Sequence, residues 1–426
     1  MRIFRALALI LTSVLFFQCQ RELSFIGGSD PQPALPAPIT ATVQGNVLDE
    51  NGLPADGVNI KVGTKTATTD AKGYFRVTDA PLDKNASLVV AEKPGYFKAM
   101  RSFSATSGVN QVVIRLLPKT LAGTIDGTAG GSVTLNNGMK IALPANGVVN
   151  ASGNTYTGSV NVYAAFIDPT SPEIDRIVPG SFMADDKNGG RVTLSSYGMM
   201  AVELESAGGE KLQVKNGSRA TLTSPIPASL QSSAPASIAM WYVDESRGIW
   251  KEEGVGSKNG NNYVGDVSHF SFWNYDISLP SVNLSATIKN GDGDIIVHAR
   301  VRVKANMPYP TQAYGYTDSL GQVSGLVPAN QPLVLEVLDE CDGVIYSKNI
   351  SALSQHTNLG SLTISAATGS SIVTVKGRLV NCNGAPLTNG HAIIVYGNMV
   401  RYDEVDANGN FTTTFTRCST SPVDFL

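Results

Sequence analysis

Three stretches of the sequence repeat one pattern of strands and turns. Residues 43–62, VQGNVLDENGLPADGVNIKV, are echoed by residues 375–395, VKGRLVNCNGAPLTNGHAIIV, and more loosely by residues 284–303, LSATIKNGDGDIIVHARVRV. In each stretch an alternating apolar run enters a turn that contains glycine, where a positive φ is needed, and a second alternating run leaves it. Repetition of this kind indicates one supersecondary unit used several times.

A second turn follows in every copy and has the form Asp-x-x-Gly. It begins at Asp70, Asp318 and Asp406. The aspartate side chain can accept hydrogen bonds from its own backbone, and the glycine takes the left-handed position. A third strand is expected after each such turn. We therefore predict an all-β fold of tandem Ig-like or prealbumin-like β-sandwich domains.

Length and charge limit the organisation and the partners of the chain. Its 426 residues exceed the roughly 250 to 300 at which a single core stops growing, so several domains are expected. Charged residues make up only 16% of the chain, and the net charge of −3 comes with both signs scattered. Without a basic stripe there is no surface for phosphate backbones, so we expect no nucleic-acid partner.

The repeats and the segments between them predict a linear order of domains. We predict a signal peptide (1–18), a lipid anchor with a Pro-rich tether (19–40), a first β-sandwich (41–118), a central β-sandwich that follows no repeat (123–278), a second copy (281–366) and a third copy (372–426). The third copy ends soon after its second turn. We expect it to be incomplete, either in a truncated chain or with a strand supplied by a partner.

The N-terminus has the pattern of an export signal. Arg2 and Arg5 precede a run of uncharged residues, 6–17, which is too short to span a bilayer and matches a secretory apolar region. Cys19 follows directly. This arrangement resembles a bacterial lipoprotein signal, which implies a lipidated Cys19 and an exported outer-membrane lipoprotein facing the periplasm or the cell surface. Gln18 replaces the small residue usual there, and an ordinary signal peptide stays the alternative.

The repeated module resembles the carboxypeptidase regulatory-like domain. The likeness covers residues 42–117, 282–365 and 372–426 and rests on the two turns and the strand spacing described above. That family is a prealbumin-like seven-strand sandwich, found repeatedly in exported proteins of Bacteroidetes. It implies a non-catalytic accessory module.

The central segment carries two further resemblances. Its start, GGSVTL at 130–135, and its end, His269-Phe270-Ser271, are similar to the ZU-type domain in its self-cleaving form. This resemblance implies one backbone break between Phe270 and Ser271. Residues 237–254, SIAMWYVDESRGIWKEEG, also resemble a stretch of cartilage intermediate layer proteins.

The side chains of this tripeptide suit self-cleavage. Ser271 Oγ would attack the carbonyl carbon of Phe270 while His269 takes the hydroxyl proton, and the bond from that carbon to the Ser271 nitrogen would break to give an ester and a free amine. Water, assisted by His269, would then hydrolyse the ester and separate the two pieces. The fold would have to strain the peptide bond and supply donors to the oxyanion. The alternative is a closing strand in which Phe270 and Phe272 are buried and His269 is half exposed.

Three cysteines remain after Cys19. In an oxidising envelope we expect a disulfide between Cys382 and Cys418, with Cys341 left over, and reduced buried thiols are the alternative. We expect no metal site, because no histidine lies at ligand spacing, and no cofactor, because no phosphate loop or catalytic motif is present.

These observations favour a protein that is not an enzyme. The first hypothesis is a cell-envelope lipoprotein that acts as a multi-domain binding or structural scaffold for a protein or glycan ligand. The second is a self-processing protein, cut once between Phe270 and Ser271. The third is an accessory carbohydrate-binding protein whose aromatic loop, residues 306–316, stacks on sugar rings; packed turn tyrosines are the alternative for that loop.

Overall fold

The computed structural model describes residues 37–307, 311–365, 371–396 and 399–421. The predicted signal peptide, Cys19 and most of the tether lie outside these ranges. The described residues are almost entirely strands and turns, so the predicted all-β fold is confirmed. No helix in these ranges is long and apolar enough to cross a membrane.

The first repeat folds into two facing sheets. Its strands are β1 (Pro38–Leu48), β2 (Asn59–Val62), β3 (Lys65–Thr68), β4 (Tyr74–Asp83), β5 (Ser87–Glu92), β6 (Ala99–Phe103) and β7 (Asn110–Arg115). One sheet has the order β4-β1-β7, with β7 parallel to β1, and the other has the order β3-β2-β5-β6. Alternate residues such as Val43, Val47, Ile60 and Val62 face inward and form the core between the sheets.

The central segment forms a larger sandwich. Its elements are β8 (Leu121–Asp126), β9 (Gly131–Thr134), β10 (Lys140–Leu143), β11 (Val148–Val149), β12 (Ser159–Ile167), α1 (Ile174–Ile177), β13 (Met183–Asp185), β14 (Arg191–Ser206), β15 (Lys211–Val214), β16 (Ala220–Pro225), a 3₁₀ turn (Ala228–Leu230), β17 (Ser237–Asp244), β18 (Ile249–Asn259), β19 (Asn262–Val267) and β20 (Phe272–Lys289). The main path runs β11-β15-β14-β20-β17-β18-β19-β16-β10-β9. Two apolar clusters fill it, and one of them includes side chains of β6 and the segment before it.

Strand β20 belongs to two domains. Its first half, up to Pro280, pairs with β14 and β17 of the central sandwich. Its second half, from Ser281, pairs with strands of the second repeat. The backbone therefore passes from one sandwich to the next as an extended strand of 18 residues, with no linker between them.

The second repeat has the strand order of the first. Its further strands are β21 (Arg300–Ala305), β22 (Gln312–Tyr316), β23 (Gln322–Pro328), β24 (Leu333–Leu338), β25 (Val344–Ile350) and β26 (Thr357–Thr363). β20 pairs antiparallel with β23 and parallel with β26, as β1 does with β4 and β7. The other sheet has the order β22-β21-β24-β25.

The third repeat contributes four strands to the described residues. They are β27 (Ser371–Arg378), β28 (His391–Tyr396), β29 (Met399–Glu404) and β30 (Asn410–Arg417). β27 pairs with β30 and β28 pairs with β29, which corresponds to β1 with β4 and β2 with β3. The first two sandwiches have further strands beyond this set.

The predicted Asp-x-x-Gly turns are confirmed in all three repeats. Asp70 Oδ1 accepts the backbone N–H groups of Lys72 and Tyr74, at 2.9 and 3.0 Å. Asp318 and Asp406 each accept two backbone N–H groups in the same way. The last residue of each turn, Gly73, Gly321 or Gly409, has a φ near +70°. The same short motif thus closes the same hairpin three times.

A carboxyl group is buried in the centre of strand β20. Asp276 is 1% exposed, and neither of its carboxyl oxygens has a hydrogen-bond partner among the described residues. Burial raises the pKa of Asp276 well above its ordinary value, and the neighbouring polar side chains of Ser196 and Asn274 offset only part of this rise. The folded protein therefore holds a proton that the unfolded chain releases as the pH rises above about 4.

We predict that Asp276→Asn stabilises the protein at neutral and alkaline pH. Wild-type stability falls as the pH rises from the unfolded pKa toward the folded one, and the neutral amide removes this loss. The free energy of unfolding at pH 8 should rise by about 1–3 kcal/mol in urea titrations, with little change at pH 4. Asp292→Asn, at an exposed turn, is the control and should change nothing. A less stable Asp276→Asn protein at pH 8 would contradict the prediction.

Candidate functional site

The His-Phe-Ser tripeptide lies in a bend between β19 and β20. β19 pairs with β16 and β18, whereas β20 pairs with β14 and β17, so residues 268–271 must cross between them. The alternative expectation of a closing strand through residues 267–274 is wrong for the tripeptide itself, because β20 begins only at Phe272. Phe270 and Phe272 are both buried and His269 is partly exposed, as that alternative expected.

The backbone of Phe270 is held by one side chain. Gln213, on β15, accepts the Phe270 N–H through Oε1 at 2.9 Å and donates from Nε2 to the Phe270 carbonyl oxygen, also at 2.9 Å. Two opposed hydrogen bonds fix the orientation of the amide. The carbonyl that Ser271 would attack therefore already has one hydrogen-bond donor on its oxygen.

The two candidate catalytic side chains have other partners. Ser271 Oγ donates to the Phe272 carbonyl oxygen at 3.1 Å. His269 Nε2 lies 3.7 Å from a carboxylate oxygen of Glu253, and its ring packs edge-on against Tyr242. Within the described residues no hydrogen bond joins His269 to Ser271, and none of residues 269–272 has a positive φ. The structure thus brings the three residues together without the direct base–nucleophile contact that cleavage needs.

The aromatic residue after the tripeptide joins two domains. Phe272 packs edge-on against Phe97 of the first repeat, with ring centroids 6.2 Å apart. Met100 of β6 lies in the same buried cluster, together with Trp241 and Trp250 of the central sandwich. The first repeat is therefore attached to the central sandwich through a shared apolar core.

A buried ion pair joins the central sandwich to the second repeat. Asp175, on α1, is 1% exposed and accepts two hydrogen bonds from Arg300 of β21, from Nε at 3.1 Å and from a terminal nitrogen at 2.5 Å. The guanidinium also donates to the Pro172 carbonyl oxygen at 3.0 Å and contacts Asp342. Bidentate pairing of this kind fixes both partners in orientation.

The first repeat also contacts the other two repeats. Thr106 Oγ1 donates to a carboxylate oxygen of Asp318 at 2.6 Å. The rings of Tyr74 and Tyr402 are stacked, with centroids 3.5 Å apart and an interplanar angle of 5°. Polar and aromatic contacts thus link repeats that are distant in sequence.

The predicted disulfide between Cys382 and Cys418 is wrong. Cys418 is bonded to Cys341, with Cα atoms 5.7 Å apart, and Cys382 is free and exposed. The reason is packing between repeats: the backbone N–H of Glu340 donates to the carbonyl of Thr416 at 2.7 Å, which places the end of β30 beside the β24–β25 turn. The bond joins the second and third repeats instead of closing a loop within the third.

The same turn carries a cluster of metal-ligand types. In the described part of the chain, Glu340, Cys341 and Cys418 form the one group with ligand atoms close together. Both sulfurs are used in the disulfide, so these residues do not fit a metal ion.

Two tyrosines of the aromatic loop are engaged within the protein. Tyr314 lies under the guanidinium of Arg300, 5.0 Å from its ring centroid, and the Tyr316 hydroxyl accepts from Arg176 at 3.5 Å. Residues 308–310 of that loop lie outside the described residues. The two described rings are packed, as the alternative for this loop expected.

Comparisons with known proteins give one sequence relative. No family model matches the chain. The chain is similar to cartilage intermediate layer protein 2 of Mus musculus, with 28% identity over 236 residues, which are 52% of this chain and 20% of that protein. The resemblance expected from residues 237–254 is to the same group of proteins. The match spans about a fifth of the length of that relative.

Comparisons with solved structures give low scores. The Bacillus anthracis TIE protein is 10% identical with a TM-score of 0.17, covering 76% of this chain and 51% of that one. The major pilin subunit BcpA of Bacillus cereus is 9% identical with a TM-score of 0.17, covering 77% and 100%. The major pilin SpaD of Corynebacterium diphtheriae is 8% identical with a TM-score of 0.16, covering 77% and 98%. At these scores the likeness carries no argument about function.

Sequence reasoning missed the residues that position these sites. Gln213 gave no signal, because a glutamine at an alternating strand position is usually solvated. Asp175 lies in EIDRI between Ile174 and Arg176, and an acid next to a basic residue in so short a segment is usually solvated, so the local sequence contains no sign of its burial. Its partner Arg300 is 125 residues away, so no local pattern could pair them.

We predict that Asp175→Asn strongly destabilises the protein. Removing the charge leaves the buried guanidinium of Arg300 with only Asp342 as a counter-ion, and breaking a buried pair costs about 3 kcal/mol or more. Urea denaturation should show this loss.

The control is Glu173→Gln, two residues earlier on the same segment. Glu173 pairs with Arg176 near the surface, and its loss should cost less than about 1 kcal/mol. Equal effects of the two substitutions would show that the Asp175–Arg300 pair has no special role.

Proposed function

We propose that the protein is a non-enzymatic scaffold of the cell envelope, whose β-sandwich domains are held in one fixed arrangement. The observation that carries this proposal is strand β20, which is hydrogen-bonded into the central sandwich before Pro280 and into the second repeat after it. A flexible linker would let two domains reorient, whereas a shared strand with partners on both sides does not.

Further contacts support a fixed arrangement. The core around Phe97 and Phe272, the Asp175–Arg300 pair and the Cys341–Cys418 disulfide each join different domains. Loops at the ends of rigid sandwiches are the usual place for recognition. We infer that such a scaffold presents its loops to a protein or glycan ligand; selective retention on a glycan array would favour the accessory carbohydrate-binding role.

Distance measurements between spin labels test the fixed arrangement. Exposed strand positions Lys61 and Lys348 would be changed to cysteine and labelled in a Cys19→Ser, Cys382→Ser background, which leaves only the disulfide-bonded cysteines. We predict a single narrow distance distribution, because both labels sit on hydrogen-bonded strands of joined domains. A control with four Gly or Ser residues inserted after Pro280 should broaden it. A broad distribution in the uninterrupted chain would refute the proposed scaffold.

We propose that a lipid on Cys19 attaches the scaffold to a membrane. The support is the charged start, the short apolar run and the cysteine directly after it. Expression in a bacterium fed with labelled palmitate should label the wild-type chain and a Cys382→Ala variant, and should leave Cys19→Ala unlabelled and released from membranes. Retained label in Cys19→Ala would contradict lipidation at this residue.

We propose self-cleavage as a second candidate function. Its support is the hydrogen bond from Gln213 Nε2 to the Phe270 carbonyl oxygen, the atom that would gain negative charge when Ser271 Oγ attacks. His269 would need to rotate from Glu253 toward Ser271 to accept the proton. Because β20 lies between β14 and β17, the two pieces would stay associated after the break.

A denaturing gel of the freshly purified chain tests cleavage. We predict two fragments for wild type, an intact chain for Ser271→Ala, and cleavage slowed about 100-fold in Gln213→Leu because an oxyanion donor is lost. Ser268→Ala, in the same bend, is the control and should cleave as wild type does. An intact wild-type chain would exclude the self-processing function and leave the scaffold proposal untouched.

A further inference from the structure

A cavity of about 300 Å³ lies where all four described domains meet. Each domain contributes one positively charged side chain to its wall. These are Lys72 of the first repeat, Arg176 of the central sandwich, Arg300 of the second repeat and Arg401 of the third. A cavity of this volume holds on the order of ten water molecules or a small organic molecule.

Two of these cations are neutralised within the protein. Arg300 pairs with Asp175 and Asp342, and Arg176 pairs with Glu173 and Asp342. Two carboxylates, Asp339 and Glu340, also line the cavity. Asp339 Oδ1 accepts the backbone N–H groups of its own turn, and Glu340 acts on Arg401 as a more distant charge. The wall therefore carries both signs of charge.

Arg401 lacks a direct counter-ion. Among the described residues no carboxylate oxygen lies within 4 Å of its guanidinium, and its buried Nε–H has no acceptor. Its contacts are the ring of Phe415, 5.4 Å from the guanidinium carbon, and the more distant charges of Asp403 and Glu340. Burial lowers the pKa of Arg401. Lys72, at the exposed rim, likewise has no ion pair in this part of the chain.

His298 adds a second unpartnered donor. The hydroxyl of Tyr74 and the guanidinium of Arg76 both donate to one side-chain atom of Gln44, which must therefore be the amide oxygen. The amide nitrogen of Gln44 then faces His298 Nε2 and the Tyr402 carbonyl oxygen. His298 Nε2 therefore accepts, and the proton of the neutral ring is on Nδ1. That buried N–H has no acceptor in the described structure, and the residue is only 4% exposed.

The backbone conformation of His298 indicates that its side chain has a role beyond forming the turn. Its φ is +57°, a left-handed conformation that costs a non-glycine residue about 1 kcal/mol or more. The first repeat has Gly57, with φ +67°, at the same place two residues before the second strand. The backbone N–H of Gly57 donates to the carbonyl oxygen of Thr69, and the backbone N–H of His298 donates to that of Thr317. The second repeat thus has a histidine at a backbone position whose positive φ favours glycine.

From this geometry we propose that the cavity binds a small molecule carrying an oxyanion, either a carboxylate or a phosphate. Arg401 is the charged partner, since a guanidinium pairs with two oxygens of such a group, and His298 Nδ1–H is a neutral donor to it. Lys72 attracts the anion at the rim. Because residues of all four domains line the cavity, the bound anion stabilises their mutual arrangement.

Calorimetry and thermal unfolding with defined probes test this inference. Inorganic phosphate and succinate would each be titrated into the purified chain at constant ionic strength, with sodium chloride as the reference. We expect saturable binding and a higher Tm for at least one probe, and comparison of the two separates phosphate from carboxylate preference. Salts that are excluded from protein surfaces raise the Tm of any protein, so variants are needed to show that a probe binds in this cavity.

Arg401→Met should lower the affinity for the better-bound probe at least tenfold, because a charge-assisted hydrogen bond is lost. The matched control is Arg378→Met on the exposed face of the same repeat, which should bind as wild type does. His298→Gly removes the neutral donor at a position where glycine suits the backbone, and it also removes the acceptor of the Gln44 amide hydrogen bond; it should weaken binding at least threefold, measured on the folded variant at a temperature below its own Tm. Absence of binding by both probes, or equal binding by wild type and His298→Gly, would overturn the proposal.

Discussion

The sharing of strand β20 by two sandwiches is the constraint on which the rest of the structure depends. Hydrogen bonds hold its first half between β14 and β17 and its second half between β23 and β26. Antiparallel and parallel ladders both fix the direction and register of their strands. The orientation of the second repeat relative to the central sandwich is therefore set by backbone geometry, before any side chain between the domains is considered.

Side-chain contacts between the domains further fix their arrangement. The apolar contact of Phe97 with Phe272 needs no directional bond, and its burial stabilises the attachment of the first repeat. The Asp175–Arg300 pair is different, because two desolvated charges gain little over an apolar contact unless their geometry is well fixed. Its contribution is specificity: only one arrangement of the two domains satisfies both charges. The same arrangement encloses the cavity lined by His298 and Arg401.

Local signals in the sequence predicted local structure well. The turns at Asp70, Asp318 and Asp406 depend on four consecutive residues, and all three form as expected. The all-β fold follows from the same alternation and turn chemistry. The domain boundaries stay a prediction, and so does the incompleteness of the third repeat.

Features that depend on contacts between distant segments could not be predicted. The predicted bounds 123–278 and 281–366 left a gap between two domains, yet β20 runs through it, and Pro280 occupies the point where β20 changes partners, a place where a strand tolerates a missing N–H. The cysteine pairing failed because Cys341 and Cys418 meet only when two repeats pack together. Gln213 reaches Phe270 across 57 residues, and nothing local marks either as a partner.

Hydrogen exchange along β20 tests most directly whether the two sandwiches form one body. Mass spectrometry at increasing, sub-denaturing urea would follow the amides of residues 272–279 and of residues 281–289 separately. We predict that both halves exchange with the same protection and the same dependence on urea, because opening either half requires unfolding of the joined unit. Free exchange of residues 281–289 under conditions that leave residues 272–279 protected would contradict the shared-strand architecture.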